Sequence, residues 1–316
     1  MTLVGVNAPY LLGQYGHDLA PNGRFPDWPV AFDPMHAYRP LIEGRELGFD
    51  AIRVWLCENA EGIVLDGDQI SGVHEDLLES IRVIQEAAVL NGVRVYWSLL
   101  DGNAVAREGD PITRSILTDP AQRARFVEHV VTPVAVSLDP KTTFALEIIN
   151  EPETATSECM ADAEEKVEGV EPVSWDDIGA TLRESVAAVD GRFLVTAGTM
   201  HVFLKSLWAS DPRLTAIDVH VYHPRGGLPS ASDLATYVGD EAIAALPLVG
   251  GECGIPKDAE EEPFALFNYI FNADKLGYAA AFLWQLEGDF VDAKAPRRPF
   301  TNLGWKIQTL LRERRA

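Results

Sequence analysis

Two glutamates in this chain each end an apolar segment of strand length. Glu151 follows the segment at 144–150, and Glu252 follows the segment at 248–251. A carboxyl group at the end of an apolar strand is costly unless it is solvated or paired, which marks both residues as candidates for chemistry. Two such groups on either side of a bond can divide proton transfer and nucleophilic attack between them, and hydrolysis of a glycosidic bond needs such a pair.

Polar residues also lie in two other strand-like runs. Arg53 lies in the run at 51–54, and His220 and Tyr222 lie in the run at 218–222. An arginine keeps its charge at physiological pH and would hold a neighbouring carboxylate ionised, while a phenol could donate a hydrogen bond to the same carboxylate. We therefore expect these side chains to support one of the two carboxylates.

Two more residues could contact a bound sugar. Trp284, at the end of the run at 279–284, offers an indole face that can stack on the apolar face of a pyranose. Asn150 offers an amide to the sugar 2-hydroxyl, an interaction that strengthens towards an oxocarbenium-like transition state. If Glu151 acts as the acid it must begin protonated, so we expect partial burial and the charge of Glu252 to raise its pKa.

Local signals show that helices alternate with the segments that carry these residues. Gly48, Gly92 and Gly277 each end a helical pattern and are followed by a β-rich run. Glycine adopts the left-handed conformation that ends a helix without steric cost. Asp33 and Asp119, each followed by proline, have the sequence of a helix start.

Counting the β-rich runs gives eight strands. They span roughly 3–7, 50–56, 93–100, 143–150, 193–198, 216–221, 246–251 and 279–284. Eight strands that alternate with helices in a chain of this length predict a single (β/α)8 barrel over residues 1–316. The long irregular stretches at about 8–32, 152–173 and 285–302 all follow strands, so they should lie at the face where such barrels build their sites.

Composition narrows the range of partners. The chain has 26 Lys and Arg against 48 Asp and Glu, a formal net charge of −22, which argues against nucleic acid or an anionic membrane as a partner. No apolar run reaches the roughly 18 residues of a membrane span. The three cysteines, Cys57, Cys159 and Cys253, give neither a disulfide framework nor a zinc-binding spacing. No signal peptide precedes the first strand, so we expect a cytoplasmic protein unless an export signal has been removed.

The two glutamates carry a family resemblance. Asn150-Glu151-Pro152 after the fourth strand and Gly251-Glu252 after the seventh resemble the clan of retaining β/α-barrel glycosidases that includes glycoside hydrolase family 5, the cellulase and mannanase type. The resemblance implies that Glu151 is the general acid/base and Glu252 the nucleophile. It also implies the barrel fold.

Three further strands match the pattern of the same clan. Arg53 resembles the second-strand arginine that pairs with the nucleophile, and Trp284 resembles the eighth-strand tryptophan that floors the sugar subsite. His220 and Tyr222 resemble the sixth-strand His-x-Tyr, whose phenol contacts the nucleophile. The third strand departs from the pattern, because it ends in Asp101 where family members often have a histidine.

These observations together predict a retaining β-glycosidase that forms a covalent glycosyl-enzyme, acting on short β-linked oligosaccharides or small glycosides of the β-glucoside or β-mannoside type. Two alternatives stay open: a transglycosidase that uses the same glutamates, and a carbohydrate-binding barrel without catalysis. The expected partner is a carbohydrate or glycoside. We expect no cofactor and no metal, because His220 and His223 do not form a metal-ligand pattern. The sequence does not specify the sugar, endo or exo action, or the oligomeric state.

Overall fold

The structure is a computed structural model that describes residues 1–11, 14–30, 32–160, 167–256, 264–295 and 297–315. Parts of all three predicted loops, at 8–32, 152–173 and 285–302, therefore lie outside the described residues. The strands are β1 (Leu3–Asn7), β2 (Ala51–Trp55), β3 (Ile63–Asp66), β4 (Gln69–Val73), β5 (Arg94–Asp101), β6 (Thr143–Asn150), β7 (Leu194–Met200), β8 (Ile217–Tyr222), β9 (Leu248–Gly254) and β10 (Ala280–Leu283).

The α-helices are α1 (Pro34–Leu47), α2 (Glu75–Asn91), α3 (Gly102–Glu108), α4 (Pro111–Thr118), α5 (Pro120–Phe126), α6 (Thr132–Ser137), α7 (Ser157–Met160), α8 (Trp175–Val189), α9 (Leu204–Ala209), α10 (Ala231–Val238), α11 (Ala265–Leu276) and α12 (Asn302–Arg315). Short 3-10 turns occupy Glu58–Ala60, Pro152–Ala155, His201–Phe203 and Glu241–Ala245, and π turns occupy Val127–Val131 and Leu286–Phe290. None of the helices in the described part of the chain combines the length and the hydropathy of a membrane-spanning segment.

Eight of these strands close into a parallel barrel in the order β1-β10-β9-β8-β7-β6-β5-β2. The first strand closes the ring, since Gly5 of β1 is in register with Ala51 of β2 on one side and Phe282 of β10 on the other. Every predicted strand overlaps an observed barrel strand. The (β/α)8 fold predicted from the alternation of helices and strands is confirmed.

Capping residues fix the helix boundaries as the sequence predicts. The Asp33 carboxylate accepts a hydrogen bond from the N–H of Met35 at 2.9 Å, and Asp119 caps α5 through Ala121 at 2.8 Å. At the end of α1, Gly48 has φ 96°, a left-handed conformation that strains residues with a side chain. This cap ends α1 shortly before β2 begins.

The barrel interior changes from apolar to charged along its axis. Near the start of the strands, the rings of Tyr96, Phe144 and Phe282 lie 5.2 to 5.8 Å apart. Further along β6, Glu147 is fully buried, as is Arg53 of β2. The aromatic layer therefore fills the base of the barrel, and the polar residues converge towards the end that carries the predicted site.

The hairpin that follows β2 was not predicted. After β2 the chain forms an antiparallel hairpin in which Ile63 of β3 is in register with Val73 of β4. Its turn contains Asp66 and Gly67, and Gly67 has φ 59°. Asp-Gly between apolar runs is a hairpin signal, so the sequence did contain this information.

Candidate active site

Both glutamates predicted from the sequence end strands at the same mouth of the barrel. Glu252 lies in β9, and Glu151 directly follows β6. Glu151 has a left-handed backbone, with φ 43° and ψ 56°, which is uncommon for a residue with a side chain and tends to occur at functional sites. Its N–H donates to the carbonyl of Gly198 on β7 at 2.8 Å. The neighbouring strand therefore holds this turn in place.

The two carboxylates lie close together. One oxygen of Glu151, one oxygen of Glu252 and a ring nitrogen of His220 all lie within 4.8 Å of one another. His220 Nδ1 is 3.1 Å from Glu151 Oε1 and 3.8 Å from Glu252 Oε1. The imidazole therefore lies beside both carboxylates.

Glu252 is held on both of its oxygens. Arg53 Nη1 donates to Oε1 at 2.8 Å, and the Tyr222 hydroxyl donates to Oε2 at 2.7 Å. Partial burial of Tyr222, which stays 40% exposed, and the charge of Glu252 raise the pKa of the phenol, so Tyr222 remains a donor. The contacts that were predicted for a nucleophile are present around Glu252, and its carboxylate is fixed in one orientation.

The sequence-based prediction that the pKa of Glu151 is raised is wrong. Burial alone would raise the pKa of Glu151, but the hydrogen bond from His220 and its positive charge outweigh burial and lower it. Burial likewise lowers the pKa of His220, but the charge of Glu252 and the hydrogen bond to Glu151 outweigh burial and raise the pKa to about 10. The proton shared by the His220–Glu151 pair therefore lies on His220.

Arg53 is anchored by residues that the sequence analysis did not select. Its Nε and Nη2 donate to one oxygen of Glu147, at 3.0 and 2.6 Å, and its Nη1 donates to Asn7 Oδ1 at 3.0 Å. Glu147 is a lone charge within the apolar strand β6, two residues from the inward-facing Ala145. Residues two apart on a strand point to the same face, so the sequence could have identified Glu147 as an inward-facing charge that needs a buried partner such as an arginine.

A second missed group lies behind His220. The hydroxyl of Tyr96 donates to Asp218, which also accepts the N–H of Gly251 at 2.7 Å. Burial raises the pKa of Asp218 to about 6. A Cβ atom at Gly251 would lie 2.5 Å from this carboxylate, and one at Gly198 would lie 2.2 Å from His220 Nε2. Glycine at both positions therefore allows the carboxylate and the imidazole to approach the backbone.

The structure shows what Asp101 contacts at the end of the third barrel strand, where the resemblance to the glycosidase clan breaks down. Asp101, which ends β5, accepts hydrogen bonds from Asn150 Nδ2 at 3.0 Å and from the Tyr15 hydroxyl at 3.3 Å. Asn150 in turn accepts from Arg53 Nη2 at 2.7 Å. Asn103, another residue that was missed, donates to Glu151 Oε2 at 3.2 Å. An aspartate and an asparagine thus take up polar contacts on this side of Glu151.

Trp284 lies at the mouth with a second tryptophan. Its ring meets Trp55 edge-to-face, with centroids 6.2 Å apart, and the Arg53 guanidinium lies 4.0 Å from the centroid of Trp55. Trp284, the predicted sugar-stacking residue, is therefore connected through Trp55 to Arg53, which pairs with Glu252. Its role in sugar binding stays a prediction.

Two residues near the site, Cys253 and His223, are not among the residues that hold Glu151 and Glu252. Burial raises the pKa of the Cys253 thiol, so this residue stays protonated next to Glu252. His223 Nδ1 accepts hydrogen bonds from the N–H groups of Arg225 and Gly227. It holds a loop turn and forms no pair with His220.

The sequence matches no protein-family model and no curated protein. Solved structures match over nearly the whole barrel. The β-mannanase of the blue mussel Mytilus edulis is 18% identical with a TM-score of 0.69, over 98% of this chain and 92% of that chain. The β-1,4-D-mannanase of Cryptopygus antarcticus is 18% identical with a TM-score of 0.68, over 98% and 90%.

A third match is a GH5_18 structure from Streptomyces cattleya in complex with Manβ1-4GlcNAc. It is 16% identical with a TM-score of 0.68, over 100% of this chain and 81% of that chain. At such identities the likeness shows a shared fold. The chain therefore has the (β/α)8 fold of these glycoside hydrolase structures, which confirms the fold that the resemblance implied.

Proposed function

We propose that the protein is a retaining β-glycosidase with Glu252 as nucleophile and Glu151 as general acid/base. The separation of the carboxylates carries the proposal, because an oxygen of Glu151 lies within 4.8 Å of an oxygen of Glu252. Carboxyl groups in retaining enzymes are about 5–5.5 Å apart, whereas inverting enzymes need about 6.5–9.5 Å to admit a water molecule. The spacing favours direct attack by a carboxylate on the sugar.

In the first half-reaction Glu252 attacks the anomeric carbon while Glu151 gives its proton to the glycosidic oxygen, which leaves with the departing group. Arg53 and Tyr222 hold the attacking carboxylate, and neither contact depends on the leaving group. In the second half-reaction Glu151 takes a proton from water, the hydroxide adds to the anomeric carbon, and the bond to Glu252 breaks. Two inversions leave the β configuration unchanged.

The proton for the first step must move before it is used. It lies on His220, 3.1 Å from Glu151 Oε1, whereas the leaving oxygen needs it on Glu151. The Glu151 side chain keeps 18% of its surface exposed. A sugar that covers this surface would raise the pKa of the carboxyl group and draw the proton from the imidazolium. His220 is in this mechanism a proton reservoir for Glu151.

We propose a short β-mannoside as the substrate. The structural neighbours support this choice, since they include β-mannanases and a structure in complex with Manβ1-4GlcNAc. Trp284, which is partly exposed and packs against the buried Trp55, offers apolar surface for a pyranose ring. β-Glucosides are the second choice on the same scaffold.

The test is the configuration of the first product. Aryl β-mannoside, aryl β-glucoside and a β-1,4-linked mannose disaccharide are hydrolysed separately, and the anomer released is read by proton NMR before mutarotation. We expect the β-anomer first, with aryl β-mannoside as the best substrate. Initial release of the α-anomer would show inversion and overturn the mechanism, while turnover of none of the three would overturn the assigned activity.

A further inference from the structure

A second cluster of acidic residues lies outside the carboxylate pair of the proposed active site. Asp18 comes from the loop between β1 and α1, and Glu58 and Glu61 come from the segment that follows β2. The three are 1%, 0% and 0% exposed. One carboxylate oxygen from each lies within 4.8 Å of the others. Loops from two neighbouring strands thus bring their carboxylates to one buried point.

The hydrogen bonds around this cluster leave carboxylate oxygens without donors. Glu61 Oε1 accepts the N–H groups of Leu19 and Ala20, whereas its Oε2 has no hydrogen-bond partner in the described part of the chain. Both oxygens of Glu58 are buried, and neither accepts a hydrogen bond of normal geometry from the residues that the structure describes. Among the described residues, neither Glu58 nor Glu61 forms an ion pair with Lys, Arg or His. Buried carboxylate oxygens in this state are costly unless a ligand compensates them.

We propose that Asp18, Glu58 and Glu61 bind a divalent metal ion, and that the ion is Ca²⁺. Ca²⁺ takes carboxylate oxygens at about 2.3–2.6 Å, so two oxygens on opposite sides of it are separated by nearly 5 Å. All three carboxylate oxygens lie within 4.8 Å of one another, close enough to share one ion. Mg²⁺ demands a near-ideal octahedron and usually keeps several water ligands, whereas Ca²⁺ accepts irregular sets of carboxylate and carbonyl oxygens, so a cluster of three buried carboxylates suits Ca²⁺ better.

The ion would tie the β1–α1 loop to the segment after β2. Leu19 and Ala20 are already bonded to Glu61, and the carbonyl of Leu19 accepts the Ser80 hydroxyl at 2.7 Å. The same loop carries Tyr15, whose hydroxyl donates to Asp101 beside the proposed active site. The ion therefore has a structural role at the rim and contacts neither of the two reacting carboxylates.

The first experiment uses the full chain after exhaustive treatment with a chelator. Thermal unfolding is followed at neutral pH while CaCl₂ or MgCl₂ is added at constant ionic strength. At a hundredfold excess over Kd we expect Ca²⁺ to raise Tm by roughly 5 °C and Mg²⁺ by less. Mass spectrometry of the native protein after calcium loading and desalting should show one bound ion. A Tm that neither ion changes would overturn the site, and a larger shift with Mg²⁺ would overturn the assignment to Ca²⁺.

The second experiment locates the ion. Glu58→Gln keeps the shape of the side chain and removes its charge, so the Ca²⁺-dependent shift in Tm should disappear. Glu43→Gln is the matched control, because Glu43 is also buried but is paired with Arg298 elsewhere in the barrel. This control should keep the full shift. A Glu58→Gln protein with native circular dichroism and an unchanged response to Ca²⁺ would refute the site, whatever its glycosidase activity.

Discussion

Two groups of buried carboxylates lie at the same end of the barrel, and they differ in how their charge is compensated. At the strand ends, Glu252 is paired with Arg53, and Glu151 with His220. In the loops, Glu58 and Glu61 have no such partner among the residues that the structure describes. One group is balanced by the chain itself, while the other requires protons or an added cation.

This difference follows from the elements that carry the residues. The paired carboxylates stand on or beside barrel strands, where the parallel ladder of β8 and β9 sets His220 directly opposite Glu252. Charges fixed on such a frame are pre-organised, which suits them to stabilise a transition state. The loop carboxylates are held by fewer constraints, so a cation there serves to order the loops.

The largest effect we expect is from removal of the nucleophile. Glu252→Ala should lower turnover of every glycoside by about 10⁴-fold or more, whatever its leaving group. Added azide would occupy the space vacated by the carboxylate and yield the α-glycosyl azide, which NMR identifies. Glu184→Ala, at a half-exposed glutamate paired with Arg123, is the control and should keep full activity. Full activity of Glu252→Ala would place the reacting group elsewhere.

Removal of Glu151 should instead depend on the leaving group. Glu151→Ala should slow substrates with poor leaving groups by about 10²–10⁴-fold, because these need protonation. An activated aryl glycoside should still form the glycosyl-enzyme, which then stalls without a base. Azide should rescue this variant and give the β-glycosyl azide. The opposite pair of azide products in the two variants would reverse the roles assigned to the glutamates.

The pairing of Glu151 with His220 predicts a pH dependence of stability. The pKa of His220 is raised from 6.5 to about 10, so its contribution is complete below pH 6.5 and is lost as the pH rises through about 10. Between these limits wild type should lose roughly 3–5 kcal/mol more unfolding free energy than His220→Asn. Urea unfolding across this range measures the difference. His201→Asn, at an exposed histidine, should follow the wild-type curve, and identical curves for wild type and His220→Asn would contradict the pairing.

Much of the fold could be predicted because its signals are local. Glycines that end helices, capping aspartates and apolar strands recur along the chain, and each depends only on nearby residues. The two glutamates of the site were predictable for the same reason, since a carboxyl group that ends an apolar strand stands out. The hairpin β3–β4 was missed although Asp66-Gly67 gave its turn.

What could not be predicted depends on contacts between distant segments. Glu147 lies 94 positions from Arg53, and the acidic cluster joins Asp18 to Glu58 and Glu61, which lie 40 and 43 positions away. The pKa of Glu151 was predicted in the wrong direction because the sequence does not show that His220 pairs with this carboxylate. Pairing partners and protonation states follow from tertiary geometry, whereas strand ends follow from the local pattern.

The smallest effect we expect is on the free energy of unfolding, and it distinguishes the loop carboxylates from those at the strand ends. Burial, with the charges of Asp18 and Asp101, raises the pKa of Glu58. Burial, with the charges of Glu58 and Asp18, raises the pKa of Glu61. A carboxyl pKa that is raised on folding makes the native state bind more protons than the unfolded chain. Stability of the chelated protein should therefore fall as the pH rises above the unfolded value of about 4.5.

Glu58→Gln removes one of the buried negative charges that repel one another in the loop cluster. At pH 8 the chelated variant should therefore be more stable than chelated wild type by about 1–2 kcal/mol. Glu252→Gln should do the reverse and lower stability by a similar amount, because Arg53 loses one of its two charged partners. Urea unfolding of both variants, with and without Ca²⁺, measures the contrast. When Ca²⁺ is present, wild type should instead be more stable than Glu58→Gln, because only wild type is stabilised by binding the ion. If both substitutions destabilise the chelated protein, the loop carboxylates are compensated within the chain, and the distinction between the two groups is wrong.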